Sequence, residues 1–182
     1  MKRLFLIAGM MGALALAIVA SSLAAANFAG TWALDKAKSQ GLSQRLQGAD
    51  KVTWTITQDD KTISIDQKVE GGQPPAGGGG GGTGGGGGMG GGRPPAGPTS
   101  YNLDGSETST ENGPAKSTLK ATWSGANLEL SRKTVFQGQQ GEVTTTTTQK
   151  LSLSGDGKVL TAAVHTESPR GPQDSTLVFN KQ

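Results

Sequence analysis

Few side chains in this 182-residue chain could do covalent chemistry, and their placing argues against it. There is one histidine, His165, and no cysteine, so a structural metal site with nitrogen and sulfur ligands cannot be assembled. A Ser-His-Asp arrangement would have to use His165. It sits in the alternating run Val159 to His165, where a solvated strand end is as natural. The carboxylate pairs Asp59 with Asp60 and Asp104 with Glu107 fall in turn-rich segments, where acids cap backbone N–H groups. Gly155-Asp156-Gly157 resembles a fragment of a calcium loop, but further oxygen ligands and a closing Glu are missing. These residues predict no enzyme, no metal and no cofactor.

Polar residues that share the parity of an apolar strand face point to binding instead. Gln67 lies between Ile65 and Val69, Arg132 between Leu130 and Phe136, and Gln149 between Thr147 and Leu151. A charge on an inward face must be paired or wet. Arg132 therefore either marks a water-filled interior suited to a carboxylate-bearing amphiphile, or a bulge swings it outward. Tyr101, Trp54 and Trp123 join Arg132, Gln67 and Gln149 as candidate ligand contacts.

The elements that must position them read as strands of period 2. Val52, Trp54 and Ile56 alternate with threonines; Ile63, Ile65 and Val69 alternate with Ser64, Asp66 and Lys68. Tyr101 and Leu103 follow, then Leu119, Ala121 and Trp123, and Leu128, Leu130 and Phe136. Val143, Thr145, Thr147, Leu151 and Leu153 form one long inner face, followed by Val159 to Thr166 and Leu177 to Phe179. Such alternation marks half-buried antiparallel strands, with β-branched Thr suiting the wet side of the pleat. Asp59-Asp60-Lys61, Asp104-Gly105, Ser124 to Asn127 and Gly155-Asp156-Gly157 supply the turns. Ser39 to Gln47 is the one helix-compatible stretch, two turns at most. About eight to ten strands joined by hairpins predict an all-β, up-and-down meander that closes into a barrel, removing its edges. The expected interior is Trp54, Ile56, Ile63, Ile65, Tyr101, Leu119, Trp123, Leu128, Leu130 and Phe136.

Two segments stand apart. Met1-Lys2-Arg3, an uncharged run from Leu4 to Val19 and the small residues Ala24-Ala25-Ala26 have the order of a cleavable export signal. The apolar run spans about 24 Å, short of the roughly 30 Å of a bilayer core, which disfavours an uncleaved anchor. Cleavage between Ala26 and Asn27 would leave a single domain, residues 27–182, in the periplasm or secreted. Losing Lys2 and Arg3 takes the 17 basic residues to 15, against 14 acidic, so phosphate-neutralising nucleic-acid binding is not expected. No later stretch is long and apolar enough to span a bilayer as a helix.

Residues 71–97 hold 17 glycines in 27 positions, with Pro74-Pro75 and Pro94-Pro95 near the ends. There is no collagen period and no phosphate-loop Gly-Lys-Ser/Thr, so a disordered loop is expected. Lengthening a hairpin loop from about 4 to 27 residues costs roughly 1.7 kcal/mol in closure entropy, which one domain can absorb.

Gly30-Thr31-Trp32 resembles the G-x-W signature that opens the first strand of lipocalins. The stretch Leu151 to Thr161 is similar to an LS-DGK-LT hairpin of small secreted bacterial lipocalin-like proteins, a largely uncharacterised group. The resemblance covers most of residues 28–182. It implies a barrel in which Trp32 closes the base and a late basic residue, Lys181, packs across it. The family's paired cysteines are absent here, and the glycine tract is not a feature of it. The expectation is an exported, non-enzymatic protein that binds a small apolar or amphiphilic ligand. The other reading is a solid-cored envelope module that uses the glycine tract as a tether.

Overall fold

Ten strands occupy the alternating segments, and they form one antiparallel sheet. The computed structural model describes residues 26–71, 97–138 and 141–182. In chain order the elements are β1 (Gly30–Leu34), α1 (Gln44–Gly48), β2 (Lys51–Gln58), β3 (Thr62–Glu70) and β4 (Thr99–Asn102). Then come β5 (Thr108–Asn112), β6 (Ala115–Ser124), β7 (Asn127–Gly138), β8 (Gly141–Leu153), β9 (Val159–Glu167) and β10 (Gln173–Lys181). The proposed signal, 1–26, lies outside the described residues except for Ala26, as does the glycine tract except for Gly71 and Gly97.

The sheet order is β4-β3-β2-β1-β10-β9-β8-β7-β6-β5, so every pair of consecutive strands except β4 and β5 is hydrogen-bonded, and β1 closes onto β10. The sheet ends, β4 and β5, are not hydrogen-bonded as strands. The Asn102 amide spans that seam, donating to Ser106 Oγ at 2.9 Å and Thr108 Oγ1 at 3.0 Å. The result is a nearly closed up-and-down barrel.

Acid-led turns set the register. Asp59 Oδ1 accepts from the backbone N–H of Lys61 (2.8 Å) and Thr62 (2.7 Å), tightening the β2–β3 hairpin. Asp104 does the same for Ser106, and Asp156 for Lys158. All three carboxyls are held below the usual range, Asp59 by these backbone N–H groups and Asp104 and Asp156 first by the Ser106 and Ser154 side chains and then by the backbone, so they stay ionised turn caps and not proton donors.

The helix is shorter and later than Ser39 to Gln47. Gln40 pairs with Thr176 of β10 in an isolated bridge, which holds the preceding residues extended. Gly41, at φ +65°, then lies so close to β10 that a side chain would meet the Asp174 carbonyl.

Because hairpins alternate ends, the β2–β3, β4–β5, β6–β7 and β8–β9 connections share one end of the barrel. The α1 crossover, the β5–β6 turn and the β9–β10 turn share the other. The first end is sealed. Phe28, Trp32, Phe179, Leu128, Leu151, Leu160 and Ile63 are fully buried there or just above it. The segment before β1 is laced across it: Gln58 accepts from Phe28 N at 2.8 Å and donates to the Ala26 carbonyl at 3.0 Å. The Trp32 indole N–H donates to the Phe28 carbonyl at 2.9 Å. Lys181 Nζ stands 5.1 Å from the Trp32 ring centre.

Candidate functional site

The interior changes character from the sealed end towards the α1 end, and the strand register displays the change row by row. Leu128, Leu151, Ala162 and Leu177 sit opposite one another on β7 to β10 and are all buried. The next inward row is Leu130, Gln149, Val164 and Ser175, of which only Leu130 is buried. The row beyond it is Arg132, Thr147, Thr166 and Gln173, with no apolar member. Past that lie Ser117, Thr134 and Thr145 on the same face. The barrel is thus an apolar floor beneath a half-exposed polar wall.

Arg132 belongs to this wall. β7 pairs with β6 and β8 without a break from Leu128 to Phe136, so no bulge turns Arg132 outward. Opposite Arg132 on β6 is the buried Leu119. Arg132 makes no hydrogen bond or ion pair with the described residues, whereas its neighbours satisfy each other. Thr147 and Thr166 bond at 3.3 Å, and Ser117 and Thr134 at 3.0 Å. The Arg132 charge is nevertheless felt inside the barrel. Burial pushes the Tyr101 hydroxyl above its ordinary pKa, and the Arg132 guanidinium pulls it partly back. Tyr101 therefore stays a neutral phenol, and an arginine charge acts on it within the interior.

Gln67, opposite Trp54 on β3, and Gln149 also face inward, and neither has a hydrogen-bond partner among the described residues. Three of the six sequence-derived candidates, Arg132, Gln67 and Gln149, are thus half-buried on the inner face, and Tyr101 is an inward member of the buried cluster, opposite Ile63. The other two differ. Trp54 is inward but sealed at 2% exposure, tilted against Phe179 with ring centres 4.4 Å apart. Its indole N–H is buried with no acceptor among the described residues, so Trp54 is floor. Trp123 lies at the sealed end, half-buried and stacked on Phe28 at 6.2 Å. Phe136, expected in the interior, stands near the α1 end opposite Val143, which is 38% exposed, and is outside the buried cluster. It lies beyond the level at which the packed floor stops.

His165 faces outward on β9. Its Nδ1 lies 2.6 Å from Asp174 Oδ1 on β10 and its Nε2 3.6 Å from Glu167. The Asp174 hydrogen bond raises its pKa, with Glu167 adding to the effect. This is an ion-pair cluster on the surface, with no serine on the same face next to it. Among the described residues no group of three or more His, Asp or Glu side chains is placed to hold a metal. Phe28 at the sealed end and Ala49, buried between α1 and β2 at the other end, escaped the sequence reading. Phe28 lies before the first alternating strand, and only its aromatic character next to Gly30-Thr31-Trp32 could have flagged it.

No protein-family model matches the chain, and no curated protein does. Among solved structures the fold is similar to that of a secretary abundant heat soluble protein from Ramazzottius varieornatus. The TM-score is 0.50 at 13% identity, covering 85% of this chain and 94% of that one. The zebrafish ileal bile acid-binding protein, solved with cholic acid, aligns at TM-score 0.47 and 14% identity, over 85% and 98% of the two chains. The first of these likenesses is one of fold, shared by the ten-stranded barrel described above.

Proposed function

We propose that this barrel is a non-enzymatic carrier of a small acidic amphiphile, held head-first by Arg132 with its apolar part on the floor. The observation that supports this most is Arg132 itself: a cation on the inner face, with no anionic partner among the described residues, whose charge acts on Tyr101. An unpaired charge in a confined, partly desolvated wall is best satisfied by an incoming carboxylate, which accepts two of its N–H groups at once. The Tyr101 hydroxyl and the Gln67 and Gln149 amides add neutral donors. Because the floor is packed solid, the ligand is small and occupies the half of the barrel next to α1.

The same reading places the mature chain outside the cytoplasm, beginning at Asn27. A cut there keeps Phe28 and its bond to Gln58 and removes the Ala26 bond to Gln58. Native mass spectrometry of the exported protein tests both halves. The expected spectrum shows a chain starting at Asn27 with one small acidic adduct, released on denaturation. A bare mass, together with no uptake of a fluorescent fatty-acid probe, overturns the carrier reading in favour of a solid-cored envelope module. A mass that retains Met1 overturns the export reading.

A further inference from the structure

We propose that the sealed end of the barrel carries a second, separate site that binds a neutral saccharide unit. A shallow cleft of about 820 Å³ opens there, between the β2–β3 turn, the β4–β5 connection and the end of β6. The buried rows of Leu128 and Leu130 stand between it and the Arg132 wall. Its volume falls within the range of small-molecule sites, roughly 300–1,000 Å³.

Two features give the cleft its chemistry. The first is Trp123, the only tryptophan that is not buried. Stacking on Phe28 at 23° fixes the plane of its ring, and its indole N–H has no partner among the described residues. A fixed aromatic ring with a free polar edge suits the apolar C–H face of a sugar and a hydroxyl beside it.

The second is the set of polar groups left over once local bonds are assigned. Gln58, Asp59 and Asp104 are engaged by Ala26 and Phe28, by Lys61 and Thr62, and by Ser106. That leaves the Asp60 carboxylate, the Lys61 ammonium, the Asn27 NH₂ and the Asn102 carbonyl oxygen, all lining the cleft. Acceptors and donors stand side by side, and a hydroxyl, which both donates and accepts, uses such a set most fully. Three aspartates outnumber Lys61 and the α-amino group that cleavage before Asn27 would add, which disfavours an anion, and the same two ammonium groups disfavour a simple cation.

The test is titration of the full chain with neutral di- and oligosaccharides (maltose, cellobiose, chitobiose and lactose series), read by calorimetry and by iodide quenching of tryptophan. Binding should protect Trp123 from iodide, and Trp123→Ala and Asp60→Ala should each weaken it by about tenfold or more. Arg132→Ala should leave it unchanged, which separates this site from the carrier site. Asp60 is an exposed turn residue, so its variant decides the matter should Trp123→Ala fail to fold. The proposal is overturned by no binding across the panel, by binding indifferent to Asp60→Ala, or by a cleft that takes choline and no sugar.

Discussion

Trp32 and Trp54 are cross-strand partners on β1 and β2, equally buried, yet their indole nitrogens have opposite fates. Trp32 donates to the Phe28 carbonyl, whereas Trp54 donates to nothing among the described residues. Leaving a buried donor or acceptor unmade costs about 1–3 kcal/mol. Trp32→Phe orphans the Phe28 carbonyl as well as shrinking the ring. Trp54→Phe removes an orphan and keeps the aromatic contact with Phe179. Trp32→Phe should therefore destabilise the protein by about 1–3 kcal/mol more than Trp54→Phe in urea unfolding. Equal losses would mean that Trp54 has an acceptor. Arg132 shows a similar contrast at the wall: parity with Leu128 and Leu130 left an outward bulge open, and only the unbroken pairing of β7 puts Arg132 on the inner face. That no partner awaits it depends on side chains four strands around the barrel, which no local pattern reveals.

At the scale of elements, the β9–β10 hairpin couples stability to pH. Asp174 holds His165 as an imidazolium, raising its pKa above the ordinary value of about 6.5. A raised folded-state pKa adds stability that is full below the unfolded pKa and disappears as pH climbs through the folded one. Asp174→Asn should thus cost stability at about pH 5.5–6, and the gap from the parent should narrow above neutrality. Thermal melts across that range check it, and a gap that widens with pH would refute the assignment. Most elements were legible because period 2 runs unbroken through β2, β3 and β6 to β9. β5 was not. Its sequence, Thr108-Ser109-Thr110-Glu111-Asn112, has no apolar residue to mark a face, and only pairing with β6 makes it a strand. The helix was misplaced by about one turn because the Gln40–Thr176 bridge and the close approach of Gly41 to β10 are tertiary facts.

For the whole molecule, the sealed floor and the polar wall divide one barrel into a packed apolar half and a half-exposed polar half. The floor row of Leu128, Leu151, Ala162 and Leu177 is removed from water and supplies hydrophobic stabilisation. The Arg132 row forgoes burial and leaves a cation exposed to whatever enters. The two ends also differ in their free chemistry: a lone arginine inside, and a tryptophan with mixed donors and acceptors at the base. The alternation of apolar and polar residues already announced a curled sheet. The position along each strand at which packing stops was hidden, since Phe136 alternates as regularly as Leu130 yet lies past that point.

The most direct test is a fluorescence titration of the parent and Arg132→Leu with a polyene fatty acid and with its methyl ester. The parent should bind the acid more tightly than the ester by about tenfold or more, and Arg132→Leu should abolish that preference while remaining at least as stable to urea. Equal affinity of the parent for acid and ester, or an acid preference that survives in the variant, would contradict Arg132 as the anchor.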